Sequence, residues 1–133
     1  MNRPVLLLTV LALLFIAGCK KHPSGGGSSE ADLAVQTNPP VGSFQSPGIE
    51  PFNLTVTITS TMPGAGVKID VSAKREDNGN VFYTESRNST SASNNFTITN
   101  TPVGIQCIVE IKVTSLSKSS NQWTGSYHYS RKS

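Results

Sequence analysis

The chain has 133 residues, a formal net charge of +3 and 14% charged residues. That length suffices for one small domain with one core, and the charge is too slight for the clustered basic face that nucleic acid requires. Beyond the N-terminal run, serine, threonine and asparagine are abundant, leucine is scarce and no helical apolar stripe appears, so the composition leans to strands.

Arg3 supplies a short positive start and residues 5–17 a continuous apolar run broken only by Thr9. This run is too short for a spanning helix, which needs roughly 20 apolar residues, and suits the apolar region of a secretory signal. Ala17 and Gly18 are small enough to let a peptidase approach the backbone. An ordinary secretory signal ends in an Ala-x-Ala-like site, whereas here the small residues abut Cys19. A plain cleaved signal and a retained anchor helix are the alternatives. Ile16-Ala17-Gly18-Cys19 resembles the lipobox of bacterial lipoproteins. The resemblance implies a signal peptide over 1–18, recognised through Ile16, Ala17 and Gly18, and lipid attachment at Cys19. A thioether-linked diacylglycerol, usually with a third chain on the new amino terminus, then holds the protein to membrane lipid. Each buried methylene contributes about 0.8 kcal/mol, so several chains hold where one holds marginally. Lys20, in place of Asp after the cysteine, implies the outer membrane of a Gram-negative cell, facing either the periplasm or the outside.

Residues 19–40 read as a flexible linker. Gly25-Gly26-Gly27 and the surrounding serines offer almost nothing to bury. A coil of about 20 residues spans roughly 25 Å, enough to float a small domain off the headgroups. Lys20 and Lys21 either add about 1 kcal/mol each of attraction to anionic lipid or are solvated linker charges. The triple glycine is no phosphate cradle, since no strand precedes it and no helix follows.

From Val41 onward, eight Lys/Arg against six Asp/Glu leave two positive charges over 41–133. Residues near Phe44 suggest a short edge strand. Leu54 to Thr59 alternates apolar and polar at period two, and Val67 to Lys74 does so more strictly, with Val67, Ile69, Val71 and Ala73 inward. Asn78-Gly79 marks a hairpin, because the pair tolerates the positive φ such turns demand. Val81 to Thr84 returns, and the polar stretch from Glu85 to Asn94 reads as an exposed crossing loop. Phe96 and Ile98 mark a short strand. Ile105 to Thr114 is the longest strand, and Trp123 to Tyr129 closes the fold. The expected fold is all-β, an antiparallel β-sandwich of about seven strands. With Cys19 lipidated, Cys107 is the remaining thiol and no intrachain disulfide forms. Under a bacterial lipobox the Asn-x-Ser/Thr triplets at Asn53, Asn88 and Asn95 are ordinary surface residues.

The run from Thr101 through Pro102 and Gly104 to Ser115, a turn followed by aliphatics at every second place, resembles the penultimate strand of fibronectin type III-like and related immunoglobulin-like domains. Cys107 stands where that family places a corner tyrosine, and the family's core tryptophan is missing, since Trp123 lies at the other end. A transthyretin-like sandwich fits the strand pattern nearly as well.

No reaction chemistry can be assigned by spacing, so the protein is expected not to be an enzyme and to need no cofactor. His128, out of phase with Trp123 and Tyr127, is expected to face solvent without triad partners. Cys107 with His128 makes at most a pair of metal ligands, and Glu76-Asp77-Asn78-Gly79-Asn80 lacks EF-hand spacing. Cys107 reads as a small core hydrophobe rather than an exposed thiol. Trp123, Tyr127 and Tyr129 share one parity and read as core, with a sugar-stacking platform as the competing use. Phe82, opposite in parity to Val81 and Tyr83, is expected to be left outside; Phe82 and Trp123 are therefore the candidate ligand contacts. The leading expectation is a membrane-tethered binding or assembly module for a protein or envelope polysaccharide partner, and not for nucleic acid. A carbohydrate-binding lipoprotein using exposed aromatics is the alternative.

Overall fold

A computed structural model describes residues 29–133. Ile16, Ala17, Gly18 and Cys19 lie outside the described residues, as does the expected cleavage site. Seven strands follow in order: β1 (Val35–Asn38), β2 (Phe52–Ile58), β3 (Val67–Arg75), β4 (Val81–Ser89), β5 (Ser93–Ile98), β6 (Gln106–Ser115) and β7 (Gln122–Ser130). They form two antiparallel sheets, ordered β1-β2-β5 and β4-β3-β6-β7. The all-β sandwich of seven strands is the architecture the period-two alternation predicts.

The alternation also places the core. Leu54, Val56, Ile58, Phe96 and Ile98 of the smaller sheet are buried, as are Val67, Ile69, Val71, Ala73, Val109, Ile111 and Val113 of the larger. Each strand puts every second side chain on its inner face, so the two faces join as one cluster. Asn78-Gly79 forms the expected turn: Gly79 has φ 72°, and the Asn80 amide donates to Asn78 Oδ1 at 2.9 Å.

Ordered structure begins earlier than the alternation alone suggests. β1 lies inside the stretch expected to be linker, and Leu33 ahead of it is buried. The cause is Asn121, at the β6–β7 connection. Its Oδ1 accepts the Leu33 amide at 3.0 Å, and its Nδ2 donates to Glu30 Oε1 at 2.7 Å and the Ala31 carbonyl at 2.9 Å. One buried side chain thus holds three residues far away in sequence. Asn121→Ala is expected to lower stability by about 1–2 kcal/mol and to undock residues 30–34. Hydrogen exchange at the Leu33 amide checks this: it should accelerate in the variant well before global unfolding.

Three local expectations are corrected. The stretch from Glu85 to Asn94 is no crossing loop, since β4 runs to Ser89 and β5 starts at Ser93. Its inner positions are polar because β4 is the edge of a four-stranded sheet facing only three strands. There Tyr83 donates to Glu85 Oε2 at 2.6 Å, Arg87 pairs with Glu85, and the guanidinium lies 4.5 Å over the Phe96 ring. Inward charge of this kind also blunts an exposed strand edge. Phe82 is not left outside. Ala73 pairs with Tyr83 but Lys74 with Val81, a β-bulge that reverses the parity. Phe82 is therefore half-buried against the core, while Val81 is exposed. Phe44 belongs to no full strand. After β1 the chain leaves the smaller sheet at Pro39-Pro40 and lies parallel to the outer edge of β7, where Phe44 makes a single bridge to His128.

Candidate functional site

The outer face of the larger sheet carries the site. Because side chains alternate, the residues not used in the core form a grid on the solvent side. β4 presents Thr84 and Ser86, β3 Asp70 and Ser72, β6 Glu110 and Lys112, and β7 Thr124 and Ser126. The register sets Ser126, Glu110, Ser72 and Thr84 in one row across the four strands, and Thr124, Lys112, Asp70 and Ser86 in the next. An open groove of about 780 Å³ lies over these rows and reaches Val41 at the β7 edge.

The segment from Gly42 to Gly48 walls that edge. The Gly42 amide donates to the Ser126 carbonyl at 2.8 Å, Gln45 to His128 at 2.9 Å and Gly48 to Ser130 at 3.0 Å, while the His128 amide donates back to Ser43 at 2.9 Å. These bonds occupy the free edge of β7, so that strand cannot add another. They also set Phe44 beside His128, with ring centroids 4.2 Å apart and planes within 4°. Phe44 is 72% exposed, the most open large apolar side chain among the described residues.

The groove's charges are mostly paired. Lys74 Nζ sits 2.8 Å from Glu110 Oε1, Lys68 Nζ sits 3.5 Å from Asp70 Oδ1, and Ser86 donates to Asp70 at 2.6 Å. Lys112, in the middle of its row, forms no ion pair among the described residues. The face is therefore close to neutral, dense in hydroxyls, and carries one ammonium free to donate.

No family model and no curated protein matches this chain. The site rests on geometry alone.

The candidate contacts chosen from sequence sit elsewhere. Trp123 faces inward opposite Val113 and packs half-buried against the core. Its ring lies over Gly125, where a Cβ would stand 2.5 Å from Trp123 Cη2 and 2.8 Å from Val41 Cγ2. Gly125→Ala should displace the indole and cost about 1–3 kcal/mol; a red-shifted Trp123 emission with a lowered melting temperature is the expected readout. Phe82 is on β4 and Trp123 on β7, the two opposite edges of the sheet, so the structure does not bring them together. Tyr127 and Tyr129 are buried and form no surface platform.

His128 projects from the outer face, as its parity predicts, but is not solvent-facing in the simple sense expected. Phe44 covers one side, Glu76 Oε1 lies 3.5 Å from Nε2, and Nδ1 is buried without a hydrogen-bond partner. Among the described residues, no group of three or more His, Cys, Asp and Glu gathers to hold a metal ion. Asp77 is engaged by Arg75, 2.6 Å away, and that guanidinium holds its carboxyl below the usual range.

Cys107 is fully buried on the inner face, its thiol directed at the Ile105 carbonyl at 3.4 Å. Burial pushes the thiol up to about 11. The corner that a tyrosine at this position ties in the resembled family is tied here from the neighbouring strand. Tyr129, the register partner of Cys107, shares a buried hydrogen bond with Thr101 Oγ1 at 2.8 Å. Arg131 adds a bond to the Thr101 carbonyl at 3.1 Å and pairs with Glu50 at 3.2 Å.

The residues missed by sequence reasoning are Phe44 and the polar grid. Their outward parity is legible strand by strand, but the groove exists only when four strands are placed in register.

Proposed function

We propose that this chain is a lipid-anchored protein of the Gram-negative outer membrane, facing the periplasm or the outside. Its sandwich is a non-catalytic module that binds a protein or an envelope polysaccharide. The lipobox-like Ile16-Ala17-Gly18-Cys19 supports the anchor, and the glycine-rich stretch after it supports a spacer. The pairings β2–β5 and β3–β6–β7 correspond to the B–E and C–F–G pairings of immunoglobulin-like sandwiches, which supports the fibronectin type III-like reading over the transthyretin-like one. The observation that carries the binding role is the open groove of about 780 Å³ on the outer face of β4-β3-β6-β7.

Two measurements test the reading. Metabolic labelling with a clickable fatty acid should mark the wild-type chain and not Cys19→Ser, which should leave the membrane fraction. A mature protein found free in solution, cut elsewhere and unacylated at Cys19, overturns the anchor. Photo-crosslinkers placed at Ser72 and at Thr97, on the outer faces of the two sheets, should capture envelope material from Ser72 only.

A further inference from the structure

The groove's chemistry selects among ligand classes. We infer that the outer face of β4-β3-β6-β7 binds a neutral glycan strand, with the Phe44–His128 pair as a stacking end-stop and Lys112 as a central donor. This deepens the binding-module reading and rests on it.

Composition decides against a protein partner at this face. Protein interfaces are enriched in aromatics, Met and Arg at their centres and depleted in Ser, Lys, Asp and Glu. The side chains that rise into the groove are mostly hydroxyl and charged ones, with Val41 at the rim, while Val71 and Ile111 beneath the floor are buried in the core. The backbone groups of β3 and β6 are spent within the sheet ladders, so recognition over the middle of the floor falls to side chains. Near-neutrality decides against polyanions, because Asp70 and Glu110 already hold Lys68 and Lys74. A polyhydroxy chain fits what remains. Its hydroxyls both donate and accept, matching Ser72, Thr124 and Ser126, which do the same. Four strands at about 4.8 Å spacing make a bed ~15 Å across, about three pyranose rings.

Phe44 supplies the apolar contact that glycan recognition needs. Its ring stands parallel to His128 at the edge of the sheet, with the far face open. An aromatic face carries partial negative charge, which suits the C–H-bearing face of a sugar ring. The imidazole fixes the ring's orientation in advance, so little rotamer freedom is lost on binding.

The test uses the mature-length Cys19→Ser chain and three immobilised probes: a neutral β-glucan (laminarin), N-acetylglucosamine oligomers, and the acidic polygalacturonate. Retention on laminarin or the N-acetylglucosamine oligomers is expected, little changed by added salt. Phe44→Ala and Lys112→Ala should each weaken it about tenfold, and Ser72→Arg, which lays a long side chain across the groove, should abolish it. Thr97→Ala, on the outer face of the other sheet, should bind normally. Unchanged melting curves certify that each variant folds. Retention of none of the probes, or of polygalacturonate alone in a salt-sensitive manner, overturns the neutral-glycan assignment. So does neutral binding that survives both Phe44→Ala and Ser72→Arg. Failure of the binding-module reading is read separately, by whether the Ser72 crosslinker captures any envelope material in cells.

Discussion

Phe96→Ala is expected to lower unfolding free energy by about 3–5 kcal/mol, against a typical total of about 5–15 kcal/mol for a domain of this kind. Phe96 is 1% exposed and pairs in register with Leu54, so its ring sits between the smaller sheet's middle strand and the core. Truncation opens a cavity that two rigid sheets cannot close. A second loss is specific to this molecule. Arg87 rests its guanidinium on the outer side of that ring and donates to the Asn95 carbonyl at 3.1 Å, bridging β4 to β5 across the sandwich edge. Without the ring the cation keeps its charge and loses its seat, about 0.5–1 kcal/mol at a half-exposed site. Urea denaturation of Phe96→Ala, Arg87→Ala and the double variant separates the parts. The double variant should be less destabilised than the sum of the singles. A Phe96→Ala loss under 1 kcal/mol would show that the two sheets do not pack through this ring.

How much of this was legible in the sequence depended on whether each strand had a dry face. β3 and β6 lie in the middle of their sheet, so Val67, Ile69, Val71 and Ala73, and likewise Cys107, Val109, Ile111 and Val113, write their position in strict alternation. β4 borders the larger sheet and faces its neighbour's rim, so Glu85 and Arg87 occupy positions where a central strand would carry valine. Polarity there looks like a loop. β1 is short and its first support, Asn121, is far along the chain, so no local pattern could reveal the docking of residues 30–33. Phe82 departs from its sequence parity because a bulge shifts the register by one residue and leaves no mark in composition. The candidate site failed to show for a related reason. Serine, threonine and charged residues at alternate positions read as ordinary solvent-facing side chains, and only register turns eight of them into one surface.

The same register links the thiol to the corner, and pH exposes the link. Stability is expected to hold steady from neutrality to about pH 9 and then to fall. Cys107 has an ordinary value of 9.0 when the chain is unfolded and about 11 when folded, because burial disfavours the thiolate. A raised folded value means the stabilising difference is fully present below the unfolded value and is lost as pH rises toward the folded one. Two pH units correspond to about 2–3 kcal/mol. Tyr129 and Tyr127 extend the decline above pH 10, since burial raises both phenols as well. Tyr129 adds a structural consequence: its hydroxyl shares the buried bond with Thr101 that ties the β5–β6 corner, so ionising it places a charge inside that corner. Thermal melts from pH 7 to 11 should therefore show one decline beginning near 9 and a steeper one above 10. Cys107→Ala should start from a lower baseline and lose the first decline while keeping the second. An identical alkaline profile in that variant would mean the thiol is not buried in the folded state. Rapid alkylation of Cys107 in the native protein would say the same, because a thiol enclosed between two sheets reacts only after they part.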